Sequence, residues 1–230
     1  QSPGVEDFEA GIESTRAGNQ VEAVQRFRAA LDAGGRAPET YHGLGNALYR
    51  SGKRGAAMAA WRRGLLLAPR NGDIASNLSR AQRQSPDQLE PPSTHRGAFF
   101  WQTAVSPRES GLLASGCIAV GLWIFAIRQW RRVRQPLLRL SGGTGWAVFM
   151  LVLGALLSIS TWDALQQRRS AVVVIDSVSV RSALGPGGMD LFVLHEGAEV
   201  RLVETTERHA LVMLSDGRKG WLTDRAIITS

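Results

Sequence analysis

Apolar positions fall into three patterns along the chain. The first ninety-odd residues are polar and alanine-rich, and they repeat with a period of thirty-four residues, which predicts paired helices. Two stretches, Gly111–Ile127 and Gly145–Trp162, hold no charged residue at all. From Ala171 the period changes to two. Ala171–Ile175, Val178–Arg181, Leu191–Leu194, Glu199–Val203 and Ala210–Leu214 are the strand candidates, with turn signals at Gly185–Gly188 and Ser215–Arg218. These patterns predict a multi-domain membrane protein: an all-α solenoid, a two-helix transmembrane hairpin and a small all-β barrel.

The uncharged stretches are seventeen and eighteen residues long, at the lower edge of the ~17–25 that a helix needs to cross a bilayer. Arg108 and Glu109 precede the first, and Trp123, Trp130, Trp146 and Trp162 fall near the ends, where indole rings favour the interface. The connecting segment carries Arg128, Arg131, Arg132, Arg134 and Arg139 and no acid. Short arginine-rich loops stay in the cytoplasm, so these five set the topology, with both termini outside. An N-terminal domain on that side would require a signal peptide, and its removal is the expectation, one explanation, besides trimming, of a start at Gln1 rather than Met. A lipid-headgroup or nucleic-acid patch is the rival reading of the arginines. Before the first span, Phe99, Phe100 and Trp101 suggest an interfacial segment, and Pro107 suits a helix start. Gly111, Ser115 and Ala119 recur every four residues and are expected to face the second span. No Asp, Glu, Lys or His lies in mid-span to serve an ion pathway.

The unit that begins at Pro38 has Tyr41, Leu44, Gly45, Leu48, Gly52, Ala57, Trp61, Gly64 and Pro69 at the positions of a tetratricopeptide repeat, which it resembles. Small residues let the helices touch, the aromatic fills the gap, and Pro69 ends the second helix. The preceding unit supplies Gly11, Gly18, Ala23, Phe27 and Ala30 but departs at Asp7 and Ser14. Ile74–Gln84 resembles the helix that closes such arrays with a polar outer face. Helical spacing places His42, Asn46 and Arg50 on one face of their helix, as it does Ile12 with Arg16, and Ser76 with Arg80 and Arg83; where these faces line the groove of the array, the groove is basic. That basic groove would suit an acidic segment or a C-terminal carboxylate; the plainer reading is a set of solvated arginines.

The C-terminal region resembles a bacterial SH3-like domain at Val178–Arg181, Leu194–Val200 and Asp216–Trp221, with a closing turn at Thr223–Ala226. Trp221 reads as core or as part of a binding surface, core being favoured. His195 and His209 have no partner at metal-ligand spacing and read as surface histidines; no metal site and no cofactor is expected. The single cysteine, Cys117, lies in the first span, which excludes an intrachain disulfide and a cysteine-based zinc cluster. Charge adds little: the formal net charge is +7, only Lys53 and Lys219 are lysines, and the five arginines between the spans account for most of the excess. Nucleic acid is therefore not the expected partner.

The domains are expected at 1–84 for the array, 85–96 for a linker, 97–107 for the interfacial segment, 108–130 and 145–164 for the spans, 131–144 for the basic loop and 170–230 for the barrel. This order resembles the BatE-type proteins of bacterial aerotolerance operons. The resemblance implies an inner-membrane scaffold without catalytic residues. Its implied partners are von Willebrand A-domain membrane proteins and, through them, a MoxR-type ATPase. A peptidoglycan-binding sensor is the alternative.

Overall fold

The computed structural model describes residues 3–87, 105, 107–134, 143–167, 170–185 and 187–229. The expected interfacial aromatics Phe99, Phe100 and Trp101, most of the expected linker and Arg139 lie outside the described residues. The chain forms two compact units: Gln1–Thr94 together with Gln167–Ser230, and His95–Gln166. The sequence suggests separate array and barrel domains, but the helices before the apolar stretches and the strands after them fold as one unit.

The first unit begins with five helices: α1 (Pro3–Arg16), α2 (Gln20–Asp32), α3 (Pro38–Arg50), α4 (Arg54–Leu67) and α5 (Gly72–Arg83). The α1–α2 and α3–α4 turns are copies of each other. Gly18 and Gly52, thirty-four positions apart, both take a positive φ. The amide after each donates back to the helix, Asn19 to the Ser14 carbonyl and Lys53 to the Leu48 carbonyl. Phe27, Trp61, Met58 and Ile74 form the interior with a lining of alanines. Close approach depends on glycine. A Cβ at Gly45 would run into the Trp61 indole, and one at Gly11 would lie 2.9 Å from the Phe27 ring. The Asn71 side chain caps α5 by accepting from the Ile74 amide at 3.1 Å.

Among the described residues, seven strands complete this unit: β1 (Ser170–Val173), β2 (Ser177–Arg181), β3 (Asp190–His195), β4 (Glu199–Thr205), β5 (His209–Met213), β6 (Lys219–Thr223) and β7 (Ile227–Thr229). They form one antiparallel sheet in the order β3-β2-β6-β5-β4-β1-β7, around Val173, Val180, Val200, Val212 and Leu222. The alternation shows five strand candidates; β6 and β7 are additional. β7 has only three residues after a single 3-10 turn at Asp224–Ala226, too few to display a period.

Strand β1 joins the two parts. Ala171 and Val173 enter the sheet's core, whereas Val172 is fully buried in the helical core. Burial on both faces explains the unalternated apolar run there. Helix α4 approaches so closely that a Cβ at Gly55 would run into the Val173 carbonyl oxygen. The Gly55 amide instead donates to Glu196 Oε1 at 2.8 Å. Arg62 and Glu199 form an ion pair, Gln82 Nε2 donates to Glu199 Oε1 at 2.9 Å, and Arg63 Nη2 donates to the Thr229 carbonyl at 2.7 Å. The expected polar outer face of α5 is therefore partly engaged by the sheet.

The second unit holds α6 (Pro107–Arg134) and α7 (Gly143–Gln167). Both helices are long and apolar enough to cross a membrane, over Glu109–Trp130 and Gly145–Trp162. Leu112, Trp123, Trp146, Phe149 and Trp162 are exposed, while Ala114, Ala147 and Ser160 are buried. Ser110 Oγ and Thr161 Oγ1 are 3.0 Å apart. A Cβ at Gly121 would meet Leu151 at 3.0 Å, and one at Gly154 would meet Ile118 at 2.6 Å. The expected Gly111–Ser115–Ala119 face is corrected. Ser115 and Ala119 are exposed, and the packed stripe is Ser110, Ala114, Ile118 and Gly121. A four-residue spacing alone leaves two adjacent stripes to choose from. Helix α6 also continues to Arg134, so Arg128, Arg131, Arg132 and Arg134 extend the helix rather than open the loop.

Candidate functional site

The residues expected to line a groove come from α1, α3 and α5. His42 and Asn46 lie one turn apart on α3, and Asn77 of α5 bridges them. Its Nδ2 lies 3.1 Å from His42 Nε2 and donates to Asn46 Oδ1 at 3.0 Å. A spacing near one repeat brings equivalent positions of the two helices level, so Tyr49 Oη donates to Gln84 Oε1 at 2.5 Å at the next level. Asn77 is the member the sequence reading missed. Its signal was available, since it stands close to one period after His42.

Arg50 stands one turn after Asn46 on α3, Arg80 and Arg83 follow Asn77 on α5, and Arg16 ends α1. Arg16, Arg50, Arg80 and Arg83 are all exposed. Arg83 Nη1 reaches Ser79 Oγ at 3.5 Å. Among the described residues no carboxylate pairs with Arg16, Arg50 or Arg80. Asn77 holds His42 and Asn46 in place, and the face offers guanidinium donors beside this amide–imidazole cluster.

On the sheet, Trp221 shares the outer side of β6 with Lys219 and Thr223, while Gly220 and Leu222 are buried. The core reading of Trp221 is corrected to a half-buried position, because the period of two gives the interior to Leu222. A cavity of about 190 Å³ lies beside it, lined by Arg181, His209 and Ser179 among others. Arg181 is already engaged, with Nη2 donating to the Gly188 carbonyl at 2.6 Å and Nε 3.4 Å from Asp190 Oδ1. The β5–β6 turn is held by Asp216, which accepts from the Arg218 amide at 2.9 Å and from Arg218 Nε at 2.7 Å. Those bonds hold its carboxyl below the usual carboxylate range, the backbone amide contributing most.

His195 is more than a surface histidine. Its amide donates to Asp87 Oδ2 at 2.6 Å, and its Nδ1 lies 3.1 Å from Asp87 Oδ1. Asp87 thus fastens the segment after α5 to the end of β3. Among the described residues no group of three His, Cys, Asp or Glu side chains is placed to hold a metal ion. Cys117 is half-buried in α6. No protein-family model matches the chain, and none of the curated proteins compared with it matches either.

Proposed function

We propose that this chain is a non-catalytic adaptor of the bacterial inner membrane, built from a tetratricopeptide array, a transmembrane hairpin and an SH3-like barrel. Its folded parts lie on the extracytoplasmic side, and the α1, α3 and α5 face recruits an acidic segment of a protein partner. The observation that carries this reading is the exposed set Arg16, Arg50 and Arg80 on the same three helices, α3 and α5 being joined by the His42–Asn77–Asn46 contacts. Carboxylates gain charge-assisted hydrogen bonds there, and fixed amides beneath would orient them. The resemblance to BatE-type proteins suggests von Willebrand A-domain membrane proteins as direct partners and a MoxR-type ATPase as an indirect one.

The test is co-purification from membranes in mild detergent, with wild type and the Arg50→Glu, Arg80→Glu double variant side by side. The double reversal should release the partner by repulsion. Salt should weaken the wild-type complex, because screening shortens from ~10 Å at 0.1 M to ~3 Å at 1 M. Equal retention by both proteins at low salt would exclude this face. A second reading, peptidoglycan binding, is favoured by Trp221, half-exposed beside its small cavity. Full-length Trp221→Ala that still sediments with sacculi as wild type does would exclude it.

A further inference from the structure

A cavity in the first unit lies on the opposite side of α3 from His42 and Asn46. It has a volume of about 610 Å³ and runs between α2 and α4. Leu44 and Leu48 of α3 form its floor. One wall is a helical stripe of α4 in which Ala56, Ala59, Ala60 and Arg63 recur three and four apart and end on Leu66 and Leu67. That stripe is about 16 Å long at 1.5 Å per residue, the length of three helical turns. The alanines of the stripe are buried, Leu66 is half-buried beside them, and Leu67 is 44% exposed at its end. Ile228 of β7 closes one side, so the groove needs both the helices and the sheet to be in place.

The rim has a definite charge. Arg28 and Arg36 are exposed, Arg63 stands beside them, and Asp32 is the single acid among the lining residues. An elongated trough with an apolar floor, helical periodicity in its wall and a cationic rim complements one class of ligand. We infer that this groove binds an acidic amphipathic helix of a partner protein, with its apolar side chains against Leu31, Leu66 and Leu67 and its carboxylates on Arg28 and Arg36. This inference concerns a different face from the one proposed above and stands without it.

The test uses the full chain in nanodiscs of neutral lipid and two fluorescein-labelled synthetic peptides of about four helical turns. Both carry leucines three and four apart; one has Glu at the remaining positions and the other Lys. Fluorescence anisotropy should show saturable binding of the Glu peptide, with the Lys peptide weaker by about tenfold or more. Arg28→Glu with Arg36→Glu should invert that preference. Leu67→Glu should abolish binding while the tryptophan emission stays unchanged, since the residue is largely exposed. Absence of saturable binding, equal binding of both peptides, or an unaltered preference in the double reversal would overturn the inference. So would the same anisotropy rise on empty nanodiscs, which assigns the affinity to lipid. A sedimentation shift in peptide-free Leu67→Glu would assign the groove to a second copy of the chain, and would overturn it equally.

Discussion

Arg62 and Glu199, 137 positions apart in the chain, meet as a bidentate ion pair, with Arg62 Nε donating to Oε1 at 2.9 Å and Nη2 donating to Oε2. Glu199 is 2% exposed and Arg62 22%. Gln82 donates to the same carboxylate, so helices α4 and α5 both hold β4 through one side chain.

Breaking this pair from one side leaves a buried charge. Arg62→Ala should therefore lower the stability of the first unit by about 3–5 kcal/mol, with Gln82 limiting the loss. Arg62→Met combined with Glu199→Met should cost much less than the two single changes added, because the carboxylate then leaves with its partner. Thermal unfolding of the full chain, followed by tryptophan fluorescence, measures both. Additive losses would show that the two residues do not act as a pair.

Gly45 and Trp61 should be coupled in the same sense. Gly45→Ala places a methyl group against the indole, and overpacking of that kind costs about 1–3 kcal/mol. Trp61→Ala should cost about 3–5 kcal/mol, since the ring is 2% exposed. Gly45→Ala with Trp61→Phe should recover part of the loss, because the smaller ring frees the space. A denaturant titration of the three variants decides it; no recovery in the pair means the contact is not the source of the cost.

In the hairpin, Ser110→Cys with Thr161→Cys in a Cys117→Ser background should form a disulfide under mild oxidation, given the 3.0 Å separation of the hydroxyl oxygens. Gly154→Leu should suppress that bond by pushing α6 away at Ile118, whereas Ala119→Leu on the exposed side should leave it intact. Gel mobility with and without reductant reads the result. Suppression by Ala119→Leu alone would restore the four-residue face expected from the sequence.

The arginines that follow the first span predict a cytoplasmic connection between the two helices. Single cysteines at Ser2, Ser141 or Ser230, again without Cys117, should be labelled in whole cells by an impermeant maleimide at the two ends and protected at Ser141. Labelling confined to Ser141 would reverse the assignment.

Much of the helical part was legible because its packing is local. Gly45, Ala57 and Trp61 lie within one repeat, and the period of thirty-four exposes their roles. The apolar helices were legible from their composition alone, but the stripe along which they pack was not, since Ala119 and Ala114 look equally suitable. The union of helices and sheet left almost no local trace. Glu199 sits in an ordinary polar-looking segment, and its burial depends on an arginine 137 positions earlier. The run Ala171–Ile175 was the one available sign, because a strand that is apolar at every position needs cover on both faces. His195 escaped for the same reason, as its partner Asp87 lies 108 positions away.

The shared carboxylate also sets an order of events during synthesis. Arg62 leaves the ribosome 137 residues ahead of Glu199, an interval of roughly 7–27 s at the usual ~5–20 residues per second. For most of it, until Val173 is made, α4 has no strand against Gly55, and Met58 lacks the neighbouring Gly197 until almost its end. Both apolar helices are translated within that interval, before the first residue of β1 exists. The helical part is thus begun first and finished last. Until β4 arrives, the nascent helical part keeps an unpaired guanidinium and bare apolar surface on α4, the features that chaperones and proteases recognise.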